Sequence, residues 1–153
     1  MTASKTSSFQ RVARPDLPRF WLRAAHLLAP ALRRTGGQFT NEGVRTALES
    51  GRMQLWLTGN VETPLAAAVT AILDYPDARV LSVPLLGGSD YKMWIESLQT
   101  DLECYGRSVG CVALEAYVRP GFIGAIYREN RAILKNVEKH WTLIRRPIAQ
   151  LPT

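Results

Sequence analysis

The first part of the chain carries a helical pattern of apolar positions. Between residues 17 and 37, apolar side chains recur three and four residues apart, at Phe20, Trp21, Ala24, Leu27, Leu28, Ala31 and Leu32. This spacing predicts an amphipathic helix. Asp16 is a possible N-cap, Pro30 is expected to kink the helix or end its first segment, and Gly36 with Gly37 closes it.

Extended patterns surround this helix and a second, shorter one. "SFQRVAR" alternates apolar and polar residues as a short strand does, and residues 41–50 form a helix capped by Thr40 or Asn41 and ended by Gly51. "MQLWLTG" and "PLAAAVTAILDYP" then predict two neighbouring strands joined by "NVETP". The alanine run of the second segment leaves a helix open as an alternative.

A buried strand and a long helix follow. "ARVLSVPLLGG" is nearly all apolar, which is typical of a strand covered on both faces. Pro84 has no N–H to donate, so the ladder to one neighbouring strand should break or bulge there. Residues 91–108 predict a helix with a core stripe of Met93, Trp94, Ile95, Leu98 and Leu102.

The remaining segments complete a mixed fold. "CVALEAYV" predicts a strand, "RPGFIGAIYREN" a short helix or turn, and "RAILKNV" with "HWTLIRRPI" a final pair of strands. This order predicts an α/β protein with a mixed, mostly antiparallel sheet of about seven strands and about four helices. We expect a polar N-terminal arm over residues 1–8, one domain over 9–148 and a short tail over 149–153.

Composition narrows the class of protein. At 153 residues with 46% apolar content, the chain can bury the core of a single domain. No apolar run reaches the length of a membrane span or a secretory signal, so we expect a soluble, intracellular protein. Cys104 and Cys111 have no partners at zinc-ligand spacing, which favours two reduced, structural thiols.

Charge is distributed unevenly. The formal net charge of +6 combines +6 over residues 1–52, −5 over 53–118 and +5 over 119–153. Basic ends attract anions of any kind, including nucleic acid, phosphorylated cofactors and acidic proteins, although such an excess also fits a solvated surface. The sequence contains no P-loop, dinucleotide-binding or helix-turn-helix signature, so sequence-specific binding of nucleic acid is not expected.

The glycine pair in "SVPLLGGSDYKMWIESLQ" has two interpretations. A glycine turn that opens a helix can hold a phosphate, because unpaired N–H groups converge at the helix start and glycines let the backbone come close. The same turn can simply lead a strand into a helix. Asp90, as N-cap, would occupy the donors that a phosphate needs. The residues alone leave both interpretations open.

The order of these segments carries a resemblance. "LSVPLLGG", running into "DYKMWIESLQTDLECYGRSVGC" and then "VALEAYVRPGF", resembles the GNAT superfamily of acyl-CoA N-acyltransferases, and most closely the small GNAT-like proteins of tailed bacteriophages. The resemblance implies an acetyl-CoA site where the fourth and fifth strands separate near Pro84. Its implied cofactor-binding residues are Leu86, Gly87, Gly88, Ser89, Asp90 and Tyr91. Its implied catalytic residues are Glu115 as base and Tyr127 as acid, with Tyr117 as second choice.

The sequence also departs from the superfamily pattern. "LLGGSD" replaces the usual Gln/Arg-x-x-Gly-x-Gly/Ala turn, and no Gly-Phe pair follows Tyr127. Two functions therefore stand side by side. One is an acetyl-CoA-dependent N-acetyltransferase of phage type. The other is a catalytically inactive GNAT-like component of a phage particle, which contacts a larger protein assembly through its N-terminal arm and basic C-terminal region.

Overall fold

A computed structural model describes residues 8–60, 62–118, 133–138 and 141–148. The strands are β1 (Phe9–Arg11), β2 (Met53–Asn60), β3 (Thr63–Tyr75), β4 (Ala78–Gly88), β5 (Ala113–Val118), β6 (Ile133–Glu138) and β7 (Trp141–Pro147). The helices are α1 (Leu17–Arg34), α2 (Asn41–Ser50) and α3 (Tyr91–Ser108), with a 3₁₀ turn at Arg14–Asp16 before α1.

The strands form one mixed sheet. They are hydrogen-bonded in the order β1-β2-β3-β4-β5-β7-β6. β4 and β5 run parallel, whereas β1 with β2, β2 with β3, β5 with β7 and β6 with β7 run antiparallel. α3 is the crossover that a parallel β4–β5 pair requires. The predicted α/β fold with a mixed sheet is confirmed. The described residues contain three α-helices, and the short helix expected near residues 120–127 lies outside them.

Contacts divide the chain into two compact units. The first comprises Met1–Ala71 with Leu85–Asp101, and the second comprises Ile72–Pro84 with Leu102–Thr153. β3, β4 and α3 each contribute residues to both units.

In the first unit, α1 and α2 cover one face of the sheet. Leu55 and Leu57 of β2 are 1% exposed and belong to this core, because alternate residues of a strand share a face. Apolar residues of the helices and of β3 and β4 complete it: Leu17, Phe20, Trp21, Ala24, Leu28, Ala31, Val44, Leu48, Ala67, Val69 and Leu85. The apolar stripe read from the sequence of α1 is therefore its core face.

One expectation about α1 was wrong, and one of the two alternatives for Pro30 is excluded. Asp16 precedes the helix, but its side chain makes no capping hydrogen bond, because the 3₁₀ turn leads directly into α1 and leaves Asp16 in a helical conformation. Pro30 does not end a first segment, since α1 continues to Arg34. The hydrogen bond lost at Pro30 is outweighed by packing on both sides, where Leu28 and Ala31 are 0% and 5% exposed.

The ends of α2 follow the sequence prediction. The Thr40 side chain accepts a hydrogen bond from the Gly43 N–H at 3.0 Å. Gly51 ends the helix with φ 83°, a left-handed conformation that favours glycine. α1 likewise ends just before Gly36 and Gly37, which both have positive φ.

The opposite face of the first unit joins β1 to α3. The Phe9 and Trp94 rings meet edge-on, with centroids 5.7 Å apart. The Phe9 N–H donates to the Asp101 carboxylate at 2.8 Å. Trp94 and Leu98 are buried as the sequence indicated, but Met93 is 48% exposed, so its placement in the core was wrong. The buried stripe of α3 consists of Trp94, Leu98 and Leu102, which are four residues apart, and Met93 lies beside this stripe.

The bond from Phe9 to Asp101 gives a testable stability difference. Asp101→Ala leaves the Phe9 N–H without its acceptor in a partly buried position, so we expect a loss of about 1–3 kcal/mol in the free energy of unfolding. Asp101→Asn keeps an acceptor oxygen in the same place and should lose less than half as much. Urea unfolding of both variants measures the difference. Equal losses would show that the charge of Asp101, and not its acceptor, matters.

In the second unit, the residues after α3 extend the sheet. Val112 N–H donates to the Arg79 carbonyl oxygen at 2.9 Å, and Ile148 N–H donates to the Val112 carbonyl oxygen at 2.8 Å. Both cysteines are free thiols, with Cys104 exposed and Cys111 buried. Burial raises the pKa of the Cys111 thiol, which keeps it protonated and unreactive.

Two kinds of feature are absent from the described residues. The described residues contain no cluster of three or more His, Cys, Asp or Glu side chains placed to hold a metal ion. None of the described helices is long and apolar enough to cross a membrane.

Candidate functional site

Close packing explains the glycine pair that ends β4 before the turn into α3. A Cβ atom on Gly87 would lie 2.1 Å from the main-chain oxygen of Leu27 in α1. A Cβ atom on Gly88, which has φ 148°, would lie 2.5 Å from both the Leu65 carbonyl oxygen and the Ala66 Cβ in β3. No side chain fits at such distances. Both glycines are therefore required by the approach of α1 and β3 to this turn.

The next residue of the turn is also held by the protein itself. Ser89 N–H donates to the Leu65 carbonyl oxygen at 3.2 Å. The Ser89 carbonyl oxygen accepts from the Trp94 indole N–H at 2.7 Å. The Ser89 N–H is thus already engaged, and a ligand would have to displace a strand contact to use it.

Asp90 does not play the capping role that the sequence indicated. Its φ is 56°, and within the described chain its carboxylate makes no hydrogen bond. Its main-chain oxygen instead accepts the Met93 N–H at 2.8 Å. The first turn of a helix leaves N–H groups without intrahelical acceptors, and Lys92 in this turn is exposed and adds a positive charge. The α3 start therefore keeps anion-binding character, opposed by the exposed Asp90 carboxylate.

In the second unit, the ladder between β4 and β5 ends where the sequence predicted. The parallel register joins Val80–Val83 to Ala113–Ala116, although β4 continues to Gly88 and β5 to Val118. Pro84 follows the last paired residue and cannot donate to the ladder. The predicted interruption at Pro84 is confirmed.

Glu115 is a buried carboxylate beside this interruption. Its side chain is 2% exposed. The Tyr75 hydroxyl donates to it, at 3.2 Å from Oε1 and 3.4 Å from Oε2. Along the sheet, Glu115 pairs in register with Ser82 of β4 and Arg145 of β7. A buried, hydrogen-bonded carboxylate of this kind can accept a proton, with the 41% exposed Tyr75 connecting it to solvent.

Sequence reasoning missed Tyr75. It stands at the end of β3, 40 positions before Glu115. The signal available was the tyrosine in "LDYP", at a strand end and followed by a turn, but nothing local pairs it with a residue of β5.

The other two predicted catalytic residues are Tyr117 and Tyr127. Tyr117 lies two residues beyond Glu115 on β5, in register with Leu143. Tyr127 lies outside the described residues, so its role as acid stays a prediction. Gly87, Gly88, Ser89 and the start of α3 belong to the first unit, whereas Glu115 and Tyr75 belong to the second.

Known proteins are similar to this chain in structure but not in sequence. No protein-family model and no curated protein sequence matches the chain. Among solved structures, aminoglycoside 6'-acetyltransferase type Ii is similar with a TM-score of 0.67 at 12% identity, over 94% of this chain and 99% of that one. An acetyltransferase from Thermus thermophilus is similar with a TM-score of 0.60 at 21% identity, over 95% and 99%.

A third similar structure is the PaiA N-acetyltransferase of Thermoplasma acidophilum in complex with coenzyme A. Its TM-score is 0.62 at 11% identity, over 93% of this chain and 99% of that one. The chain has the GNAT fold. The alignments extend over nearly the full length of both chains. At these identities the likeness concerns the fold, and the chemistry has to be argued from this chain's own residues.

Proposed function

We propose that this protein is an acetyl-CoA-dependent N-acetyltransferase. The observation that carries the proposal is the β4–β5 ladder, which in this GNAT fold stops at Pro84 with the buried Glu115 one residue before its last pair. A similar structure, the PaiA N-acetyltransferase, contains coenzyme A. The proposed acceptor is a primary amine.

The turn residues fit a diphosphate group in part. Atoms of α1 and β3 occupy the space that side chains at Gly87 and Gly88 would need, so these glycines leave no space that a ligand could fill. Ser89 N–H is engaged with Leu65. The start of α3, with the exposed Lys92, is the part of this turn that suits a phosphate. We therefore assign the cofactor contact to residues 90–92, with Leu86 as a neighbour.

In the second unit, the proposed chemistry concerns a proton. When bound, acetyl-CoA supplies an acetyl thioester. An amine attacks only as the neutral base, so it must lose a proton, and we assign Glu115 as the acceptor of that proton. The Tyr75 hydroxyl orients the Glu115 carboxylate and links it to solvent. Tyr127 as the acid that protonates the departing thiolate is part of the proposal, as is Tyr117 in its second-choice role.

A second candidate function has specific support. Both glycines are in close contact with α1 and β3, and the Ser89 N–H is hydrogen-bonded to Leu65. Leu85 beside them is 1% exposed and belongs to the core. A protein with this turn can keep the GNAT fold without a cofactor. This candidate is a catalytically inactive component of a protein assembly. Its phage origin, and its contacts through residues 1–8 and the basic C-terminal region, are predictions from the sequence.

Thermal unfolding with and without acetyl-CoA distinguishes the two candidates, with ADP as a control for simple phosphate attraction. At about 100 times its dissociation constant, a ligand of the native state adds about 2.7 kcal/mol. This raises the melting temperature by roughly 5–10 °C for a chain of this size. A rise with acetyl-CoA well above that with ADP supports the transferase. No rise at millimolar acetyl-CoA would contradict it.

Asp90→Asn tests whether the start of α3 holds the phosphates. It removes the opposing carboxylate, and asparagine tolerates the positive φ of this position. We expect the affinity for coenzyme A to rise about threefold to tenfold, measured by calorimetry. An unchanged affinity would place the phosphates elsewhere. A large residue at Gly88 is no substitute for this test, because it would collide with β3 whether or not a ligand binds.

A further inference from the structure

A cavity of about 610 Å³ lies in the first unit, beside the start of α1 and the end of α2. Its volume is within the range of small-molecule sites, about 300–1,000 Å³. Its walls come from the 3₁₀ turn, α1 and α2: Arg14, Pro15, Pro18, Trp21, Arg45 and Leu48, with Leu17 and Glu49. None of these residues belongs to the turn or to the Glu115 pair described above.

The inner wall of the cavity is apolar and fixed. Leu17, Trp21 and Leu48 are 5%, 4% and 1% exposed and belong to the core of this unit. Pro15 and Pro18, at the outer edge, have restricted backbones. A surface held in this way can receive an apolar group without losing much conformational entropy.

The polar groups of the cavity are mostly donors. Arg14 donates from Nε and Nη2 to the Glu49 main-chain oxygen, at 3.0 and 2.6 Å. Arg45 donates from Nε to Glu49 Oε1 at 3.0 Å. The remaining N–H groups of the two guanidinium groups have no acceptor among the described residues. Two positive charges thus face the single negative charge of Glu49, which Arg45 already binds.

Trp21 adds an unpartnered donor. The indole N–H groups of Trp56 and Trp94 donate to Thr70 and to the Ser89 carbonyl oxygen. For the Trp21 indole N–H, the described part of the chain provides no acceptor, although the residue is only 4% exposed. The nitrogen itself is not completely enclosed by protein. Because Trp21 lines the cavity, a ligand bound there can supply the missing acceptor.

We infer that this cavity binds a small organic carboxylate with an aromatic or branched apolar body. The apolar body packs against Trp21 and Leu48. The carboxylate accepts from the Arg45 guanidinium and the Trp21 indole N–H, because a charged acceptor satisfies donors that are otherwise unpaired. The inference rests on this cavity alone and does not depend on acetyl transfer.

Titration of the full-length, ¹⁵N-labelled protein with phenylacetate tests the inference. The readout is the indole N–H signal of Trp21, assigned by its loss in Trp21→Phe. We expect a saturable shift of this signal, while the indole signals of Trp56 and Trp94 stay in place because their donors are already bonded. Phenylacetamide, which has the same ring but no charge, should bind about tenfold more weakly.

A pair of variants locates the charge that binds the carboxylate. Arg45→Gln should weaken phenylacetate binding about tenfold, and Arg45 is exposed enough for the fold to tolerate the change. Arg33→Gln removes the same charge from an exposed position in the last turn of α1 and should leave binding unchanged. The remaining indole signals report that each variant is folded.

Four results would each overturn the inference. The first is a shift that does not saturate by roughly 10 millimolar phenylacetate. The second is equal binding of phenylacetamide. The third is an equal effect of Arg45→Gln and Arg33→Gln. The fourth is the same shift with inorganic phosphate, which would reduce the site to unspecific attraction of anions.

Discussion

Gly87→Ala is expected to destabilise the protein strongly, because the added methyl group collides with α1. The new Cβ would lie 2.1 Å from the Leu27 main-chain oxygen, so α1 or the turn must move. We expect a loss of about 3 kcal/mol or more in the free energy of unfolding. The melting temperature, measured by calorimetry, should fall by about 10 °C.

The matched control is Gly36→Ala. Gly36 has φ 62°, and a Cβ atom added to it would have no other atom within 4 Å, so its substitution carries backbone strain without a collision. That strain costs about 1–2 kcal/mol. If Gly87→Ala melts within a degree or two of the control, the close approach of α1 to the turn is not what requires glycine at position 87.

Glu115→Gln is expected to have the largest effect on activity. The amide keeps the size of the side chain and an oxygen for the Tyr75 hydroxyl, but it cannot accept the proton of the amine. We expect acetyl transfer to slow by about 10²–10⁴-fold. The measurement is the rate of coenzyme A release with a panel of primary amines and peptides with a free amino terminus.

Two observations make the Glu115 experiment decisive. The melting temperature of Glu115→Gln should stay near that of the unmodified protein, which separates a chemical loss from unfolding. Tyr75→Phe removes only the hydroxyl that orients Glu115 and should slow the reaction less than Glu115→Gln. Full activity of Glu115→Gln would show that this carboxylate is structural and that another group takes the proton.

Local pattern was sufficient to predict most elements. The bounds of α2, α3 and β4 were read from the sequence, because helical spacing, Thr40, Gly51 and the apolar run over 78–88 are all local signals. The end of the β4–β5 ladder was predictable for the same reason, since a proline cannot donate wherever its neighbours lie.

Features that depend on distant contacts were not predictable. Pro30 lies inside α1 because packing of the helix outweighs one lost hydrogen bond. Asp90 is left-handed, and its carboxylate does not cap α3, because the path of the turn is set by β3 and α1. Tyr75 meets Glu115 only through the sheet. The sequence also left the role of Gly87 and Gly88 open, because the atoms that exclude a side chain there belong to the distant residues Leu27, Leu65 and Ala66.

The contact at Gly87 bears on how relatives of this protein will evolve. The obstacle is a main-chain oxygen, which every amino acid carries, so no exchange at Leu27 can make room for a side chain at position 87. A relative without acetyltransferase activity should therefore retain this glycine as faithfully as a relative that has the activity. Divergence between active and inactive descendants should accumulate instead at the exposed residues Asp90 and Lys92. At Glu115, which is buried, it should be confined to replacements that keep the hydrogen bond with Tyr75.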